Sequence, residues 1–414
     1  MKRCDGAACA AVTVLLGLAA CRSTSETKLA EVAPAQVASP AAERAQHAEP
    51  LHDDNGPPSQ AALDDFQRGI DALVTDKGKA LEYFRSAASQ SPAFAAAHYN
   101  VASLLEARGD TTGAASAYRA AFTADPNFGP AVAGLASLQE RMGNTAEARG
   151  QLKDYVARHP ESAVARGTLA QLLARTGDVE AARQNAIAAL HEDERSAEAM
   201  LALGMIYRRQ NKTELAQLAL EQALVVDPNM GEAYNELGLV FLAQDDKVKA
   251  VAAFEKAVAA TPNRAAMLNN LGALRNDVGA YDGAADAMTK AVKLDPDTAP
   301  YYLNLGNAYR GQRKYAEAES AYREALTVGH GAPQALFNLG ILYLDNDIAG
   351  KDTLIRYNEC IKFLQDYVKE ANVQGDDARR VAEYVSMAKK AIDQEQRRLE
   401  RDKKRTTHAN GGEP

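Results

Sequence analysis

Residues 231–264 read GEAYNELGLVFLAQDDKVKAVAAFEKAVAATPNR, and this stretch decides the fold. Tyr234, Leu237, Gly238 and Phe241 recur at helical spacing, which predicts a first helix from about Glu232 to Gln244. Asp245-Asp246 makes a turn. A second helix then carries Val248, Val251, Phe254, Ala257 and Val258, and Thr261-Pro262 stops it because proline cannot continue the hydrogen-bond ladder. Two short amphipathic helices joined by a two-residue turn make a hairpin that cannot bury its apolar faces alone.

The same pattern recurs every 34 residues in both directions. Ala80, Ala114, Ala148, Ala182, Ala216, Ala250, Ala284 and Ala318 form one column. Ala87, Ala121, Tyr155, Ala189, Ala223, Ala257, Ala291 and Ala325 form a second. Pro92, Pro126, Pro160, Pro228, Pro262 and Pro296 form a third, with Glu194 and His330 at its two gaps. A fixed period in three independent columns means an array of stacked units. Gly204, Gly238, Gly272, Gly306 and Gly340 lie on the first helices and are expected to face the alanine columns, so that the two helices approach closely. Pro130 and Pro300 fall in first turns, where a missing amide hydrogen costs little.

The run Leu237-Gly238-x-x-Phe241, then Ala250, Phe254, Ala257 and Pro262, resembles the tetratricopeptide repeat. The resemblance covers residues 61–332 as eight units, numbered here one to eight, with a degenerate ninth helix pair at 333–372 and a capping helix and tail at 373–414. It implies an all-α fold, a right-handed superhelical solenoid of helix hairpins with a C-terminal capping helix. Unit one is a residue short between Gly69 and Ala80. Unit nine begins well, with Leu336, Leu339, Gly340 and Tyr343, and then loses register; Thr353–Glu370 reads as a longer second helix and about Asp377–Lys404 as the closing one. Terminal repeats are expected to be atypical, because the last must present a polar face to water.

Residues 1–20 read as a signal peptide: Lys2 and Arg3 precede an apolar stretch over Ala7–Leu18 that is too short to span a membrane as a helix. Leu18-Ala19-Ala20-Cys21 resembles the bacterial lipobox, which implies cleavage before Cys21 and lipidation of that cysteine. The other reading is an ordinary secretory signal with an incidental cysteine. Arg22 stands where an aspartate would resemble an inner-membrane retention signal, so the expected location is the outer membrane, facing the periplasm, with the membrane reached by a lipid anchor. Residues 21–60 are rich in Ala, Pro, Ser and Glu and read as the lipidated terminus and a tether spanning roughly 30–40 Å if flexible. With Cys4 and Cys9 in the signal and Cys21 lipidated, Cys360 remains alone on an apolar helix as a buried structural thiol.

Catalytic signatures are missing from the sequence: there is no H-E-x-x-H, C-x-x-C, phosphate loop or G-x-S-x-G. His47, His52, Asp53 and Asp54 in the tether read as solvated linker before metal site. No enzyme activity, cofactor, metal or small-molecule substrate is expected. A net charge of -8 without a basic stripe argues against nucleic acid. The basic run Arg397, Arg398, Arg401, Lys403, Lys404 and Arg405 suits a solvated helix end, and contact with anionic lipid or cell-wall polymer is its sharper reading.

Recognition of a protein or an extended peptide is what remains. A stack of hairpins curves so that the first helices build a concave wall. Asn270, Asn304 and Asn338 are 34 apart, with Asn100 and Glu236 in their column and Asn235, Asn269 and Asn307 beside them. A carboxamide offers donors and an acceptor, so such a row can pair with a peptide backbone without reading its side chains. It resembles the asparagine ladder of some peptide-binding members of the family; packing between repeats is the alternative. Leu201, Met205, Leu239, Leu303, Phe337 and Ile341 are expected on the same wall, some of them as core. The carboxylate clamp of some family members needs Lys and Arg where Asn235, Asn269, Leu303 and Phe337 stand, and is not expected.

The whole layout looks like a non-enzymatic envelope scaffold lipoprotein. Two kinds resemble it: myxobacterial gliding-motility lipoproteins, through the tail Ala378–Lys404, and pilotins, which guide secretin assembly for type IV pili. An adaptor for peptidoglycan enzymes is a further reading, and an enzyme the rival from another class.

Overall fold

The structure is a computed structural model and describes residues 56–328, 332–348 and 350–410. Cys21, the signal, most of the tether and the quartet at His47–Asp54 lie outside the described residues. Among the described residues every regular element is a helix. Units one to four are α1 Gln60–Ala72 with α2 Lys77–Gln90, α3 Ala95–Ala107 with α4 Thr111–Ala124, α5 Gly129–Arg141 with α6 Thr145–Arg158, and α7 Ala163–Thr176 with α8 Val179–Glu192. Units five to eight are α9 Ala197–Arg209 with α10 Thr213–Val226, α11 Gly231–Ala243 with α12 Lys247–Ala260, α13 Ala265–Asp277 with α14 Tyr281–Leu294, and α15 Ala299–Gly311 with α16 Tyr315–Val328. Unit nine pairs α17 Pro333–Asp345 with α18 Thr353–Glu370, and α19 Gly375–Asn410 closes the array.

The turn inside each hairpin has a periodic backbone cause. Gly109, Gly143, Gly177, Asn211, Asp245, Gly279 and Arg313 all have left-handed φ between 59° and 90°, and they are 34 residues apart. Each sits just past a first helix, and the next amide reaches back over it: Asp246 N–H donates to the Phe241 carbonyl, and Asp178 N–H to that of Leu173. This is the C-terminal motif that glycine favours, with asparagine and aspartate tolerated. Arg313 is the one member that pays the full steric cost. Unit one, a residue short, turns at Leu73–Thr75 without a left-handed residue.

Both alanine columns are buried; Ala250, Ala257, Ala284 and Ala318 are fully covered. The glycine column is filled by large side chains of the partner helix: a Cβ on Gly238 would lie 2.5 Å from the Phe254 ring, one on Gly204 2.5 Å from Leu220, and one on Gly272 2.6 Å from Met288 and 3.3 Å from the Ala284 carbonyl oxygen. Gly306 and Tyr322 repeat the relationship. The small residue makes the hole, the large one fills it, and the alanines close the remaining seam.

The first helices of successive units touch one another, as α5 with α7, α7 with α9 and α13 with α15 do. Crowding on that side curves the stack and makes those helices its concave wall. Unit nine replaces the lost turn with a side chain. The buried Arg356 guanidinium donates to the carbonyls of Tyr343 and Asn346 at the end of α17 and pairs with Asp347 at 3.1 Å. α19 begins two residues before its expected start and packs its first half on α18, burying Val381 and Ala388.

Candidate protein-binding wall

The asparagines lie on the concave side of α11, α13, α15 and α17, each half-buried. They are bonded to one another across unit boundaries. Asn270 Nδ2 donates to Asn235 Oδ1 at 2.8 Å, and Asn304 Nδ2 to Asn269 Oδ1 at 2.9 Å. Leu303 interrupts the acceptor column, so Asn338 reaches Asn307, one turn further on, at 3.0 Å. Asn307 Oδ1 also accepts from the Tyr322 hydroxyl, and Asn276 Nδ2 donates to the Asn304 carbonyl. The row therefore does packing work, and each bond fixes a carboxamide plane. A carboxamide has two N–H donors, and these bonds use one each on Asn270, Asn304 and Asn338. Asn100 stands apart, bonded within α3 to the Ala96 carbonyl.

The apolar positions divide. Leu239, Leu303 and Ile341 are half-buried on the wall, whereas Leu201 and Met205 are core, 1% and 4% exposed. Phe337 departs from an open wall: its ring packs against Tyr367 of α18 at 5.2 Å and Tyr384 of α19 at 6.2 Å. The closing helix thus covers the C-terminal end of the groove.

Units two to six carry charges that single-column reading passed over. Arg141 pairs with Glu106, and Arg175 with Glu140. The next pair reverses polarity: Arg208 meets Glu236 at 2.7 Å. Arg264 meets Glu232 at 2.5 Å. The signal was present, since Glu106/Glu140 and Arg141/Arg175 are themselves 34 apart. Glu106, Glu140, Arg141, Arg175, Glu232 and Arg264, with Tyr99, Tyr118 and Glu198, line a cavity of about 200 Å³, and the Arg208–Glu236 pair lies outside it. Burial alone would raise the Glu232 carboxyl, but Arg264, with Arg175 and Arg141, holds it below the ordinary range. Among the described residues no group of His, Cys, Asp and Glu is placed to hold a metal ion, and no helix is long and apolar enough to cross a membrane.

A tetratricopeptide repeat profile matches residues 75–127, 168–216, 201–265, 249–299 and 303–349, more than half of the chain, and a second one matches 105–172. The chain is a tetratricopeptide repeat protein. Such repeats are generally non-catalytic scaffolds, and this array is suited to protein–protein interaction. Cut9, in the APC/C hetero-tetramer Cut9–Hcn1, is similar in fold, with a TM-score of 0.56 at 14% identity over 83% of this chain and 78% of that one. YrrB, described as having an unusual peptide-binding site, matches 45% of this chain and 95% of its own at 22% identity, TM-score 0.36. MamA matches 39% of this chain and 94% of its own at 27% identity, TM-score 0.34. No curated protein matches the chain.

Proposed function

We propose that this tetratricopeptide repeat protein is a non-enzymatic scaffold of the cell envelope, held to the outer membrane through a lipidated Cys21 and facing the periplasm. Its concave wall takes an extended segment of a partner protein and helps to assemble or hold an outer-membrane machine. The observation that carries the binding reading is the row Asn270, Asn304 and Asn338, fixed in orientation by bonds to Asn235, Asn269 and Asn307. An ordered row of carboxamides loses little freedom on pairing with a peptide backbone, so it is preorganised. The envelope reading is supported by Leu18-Ala19-Ala20-Cys21 after an apolar stretch. A gliding-motility complex is the machine we favour, on the resemblance of the tail Ala378–Lys404. Secretin assembly for type IV pili, or an adaptor role for peptidoglycan enzymes, is the alternative assignment.

Crosslinking in the native envelope, followed by identification of captured proteins, tests the binding reading. Replacing Asn270, Asn304 and Asn338 together by Ala is expected to abolish capture of the wild-type partners while helicity by circular dichroism survives. Unchanged capture would place the row in packing alone. For the anchor, Cys21→Ala is expected to move the protein from the membrane to the soluble fraction; a variant that still sediments with outer membrane overturns the lipid reading.

A further inference from the structure

The concave wall does not stay open along its length. The Asn263 carboxamide, in the turn before α13, donates to the carbonyl of Ala107 at the end of α3, 156 residues earlier. The main helix contacts elsewhere join a unit to itself or to its near neighbours. Here unit six touches unit two. The cavity tells the same story, because its lining runs from Tyr99 and Glu106 through Arg141 and Arg175 to Glu232 and Arg264, around all five units. Burial lowers the Arg264 pKa and Glu232 opposes it, while Arg141, Arg175 and Glu106 act on it from across the ring.

We infer that Asn263 forms a clasp with the end of α3 that closes the concave wall over units two to six and leaves the asparagine-lined wall, from unit six to where α19 covers Phe337, as the open binding face. This rests on the groove-binding reading above and names its regulation. Ligand pockets measure about 300–1,000 Å³, so the 200 Å³ cavity between these units, itself half open, is smaller than an extended segment needs. A partner longer than the open face enters only when the clasp parts. The clasp is weak enough to part, because one intramolecular hydrogen bond changes an equilibrium constant by roughly two- to tenfold. Because each unit contacts its neighbours, closure sums small rotations over five units, and a small change at each is enough to separate the ends.

Spin labels at Arg108→Cys and Ala266→Cys, both exposed and flanking the clasp, report the gap in the full chain carrying Cys4→Ala, Cys9→Ala and Cys21→Ala, in which Cys360 is buried. Distances by pulsed electron resonance are expected to show one short, narrow population. Asn263→Ala is expected to raise the share of longer, broader distances by roughly two- to tenfold at unchanged helicity. A distribution unaltered by that variant, or one already long and broad before it, overturns the clasp. Loss of partner capture belongs to the asparagine-row experiment, so the two readings fail separately.

Discussion

The ring of Phe254 occupies the space that a side chain on Gly238 would need, with its nearest carbon 2.5 Å from where a Cβ would stand. This pair is the local unit of the fold, repeated by Gly204 with Leu220 and Gly272 with Met288. Adding one methyl overpacks the seam, and Phe254 is fully buried with nowhere to retreat. Gly238→Ala is expected to cost about 1–3 kcal/mol, despite alanine's better helix propensity. The denaturant midpoint, followed by helicity, measures it. A neutral or stabilising result would mean that the two helices are further apart than described.

Arg313 takes the left-handed turn, with φ of 62°, where four of the other six members of its column are glycine. The conformation costs a non-glycine residue roughly 1–2 kcal/mol, and glycine returns part of that gain as unfolded-state entropy. Arg313→Gly is therefore expected to stabilise the chain by about 0.5–1 kcal/mol. The matching change in the opposite sense, Gly177→Ala, is expected to destabilise it. Equal midpoints for the two variants would contradict the turn assignment.

Cys360 is fully buried, and burial, with the nearby Asp345 carboxylate, pushes its thiol up to about 12 against an opposing effect of Arg356. Because the folded value is raised, the neutral thiol contributes stability below the unfolded value near 9, and that contribution is lost as pH rises from there toward 12. At pH 8 the native thiol is expected to resist a disulfide reagent that modifies the denatured chain within minutes. Rapid modification of the native protein would show that α18 opens locally.

Much of this protein is written in its period. Helix pairs, buried alanines and turn sites follow from residues at fixed offsets, because each depends on contacts within about one unit. The left-handed column was equally legible in Gly109, Gly143 and Gly177, yet at Arg313 the neighbouring units impose the turn against local preference. The candidate wall was legible only as positions. Spacing placed Asn270, Asn304 and Asn338 on one face, but their bonding to Asn235, Asn269 and Asn307 depends on how adjacent first helices are rotated. The same holds for Phe337, which sequence placed on an open wall and α19 covers.

Sequence by itself determined the repeat, its register and the small residues that set how closely two helices pack. Tertiary structure alone decided which large side chain fills each glycine, which asparagine meets which, and that Asn263 meets Ala107. The reason is range. A 34-residue unit encodes its own hairpin, whereas curvature accumulates from small rotations at every interface, and no single column of residues contains that sum.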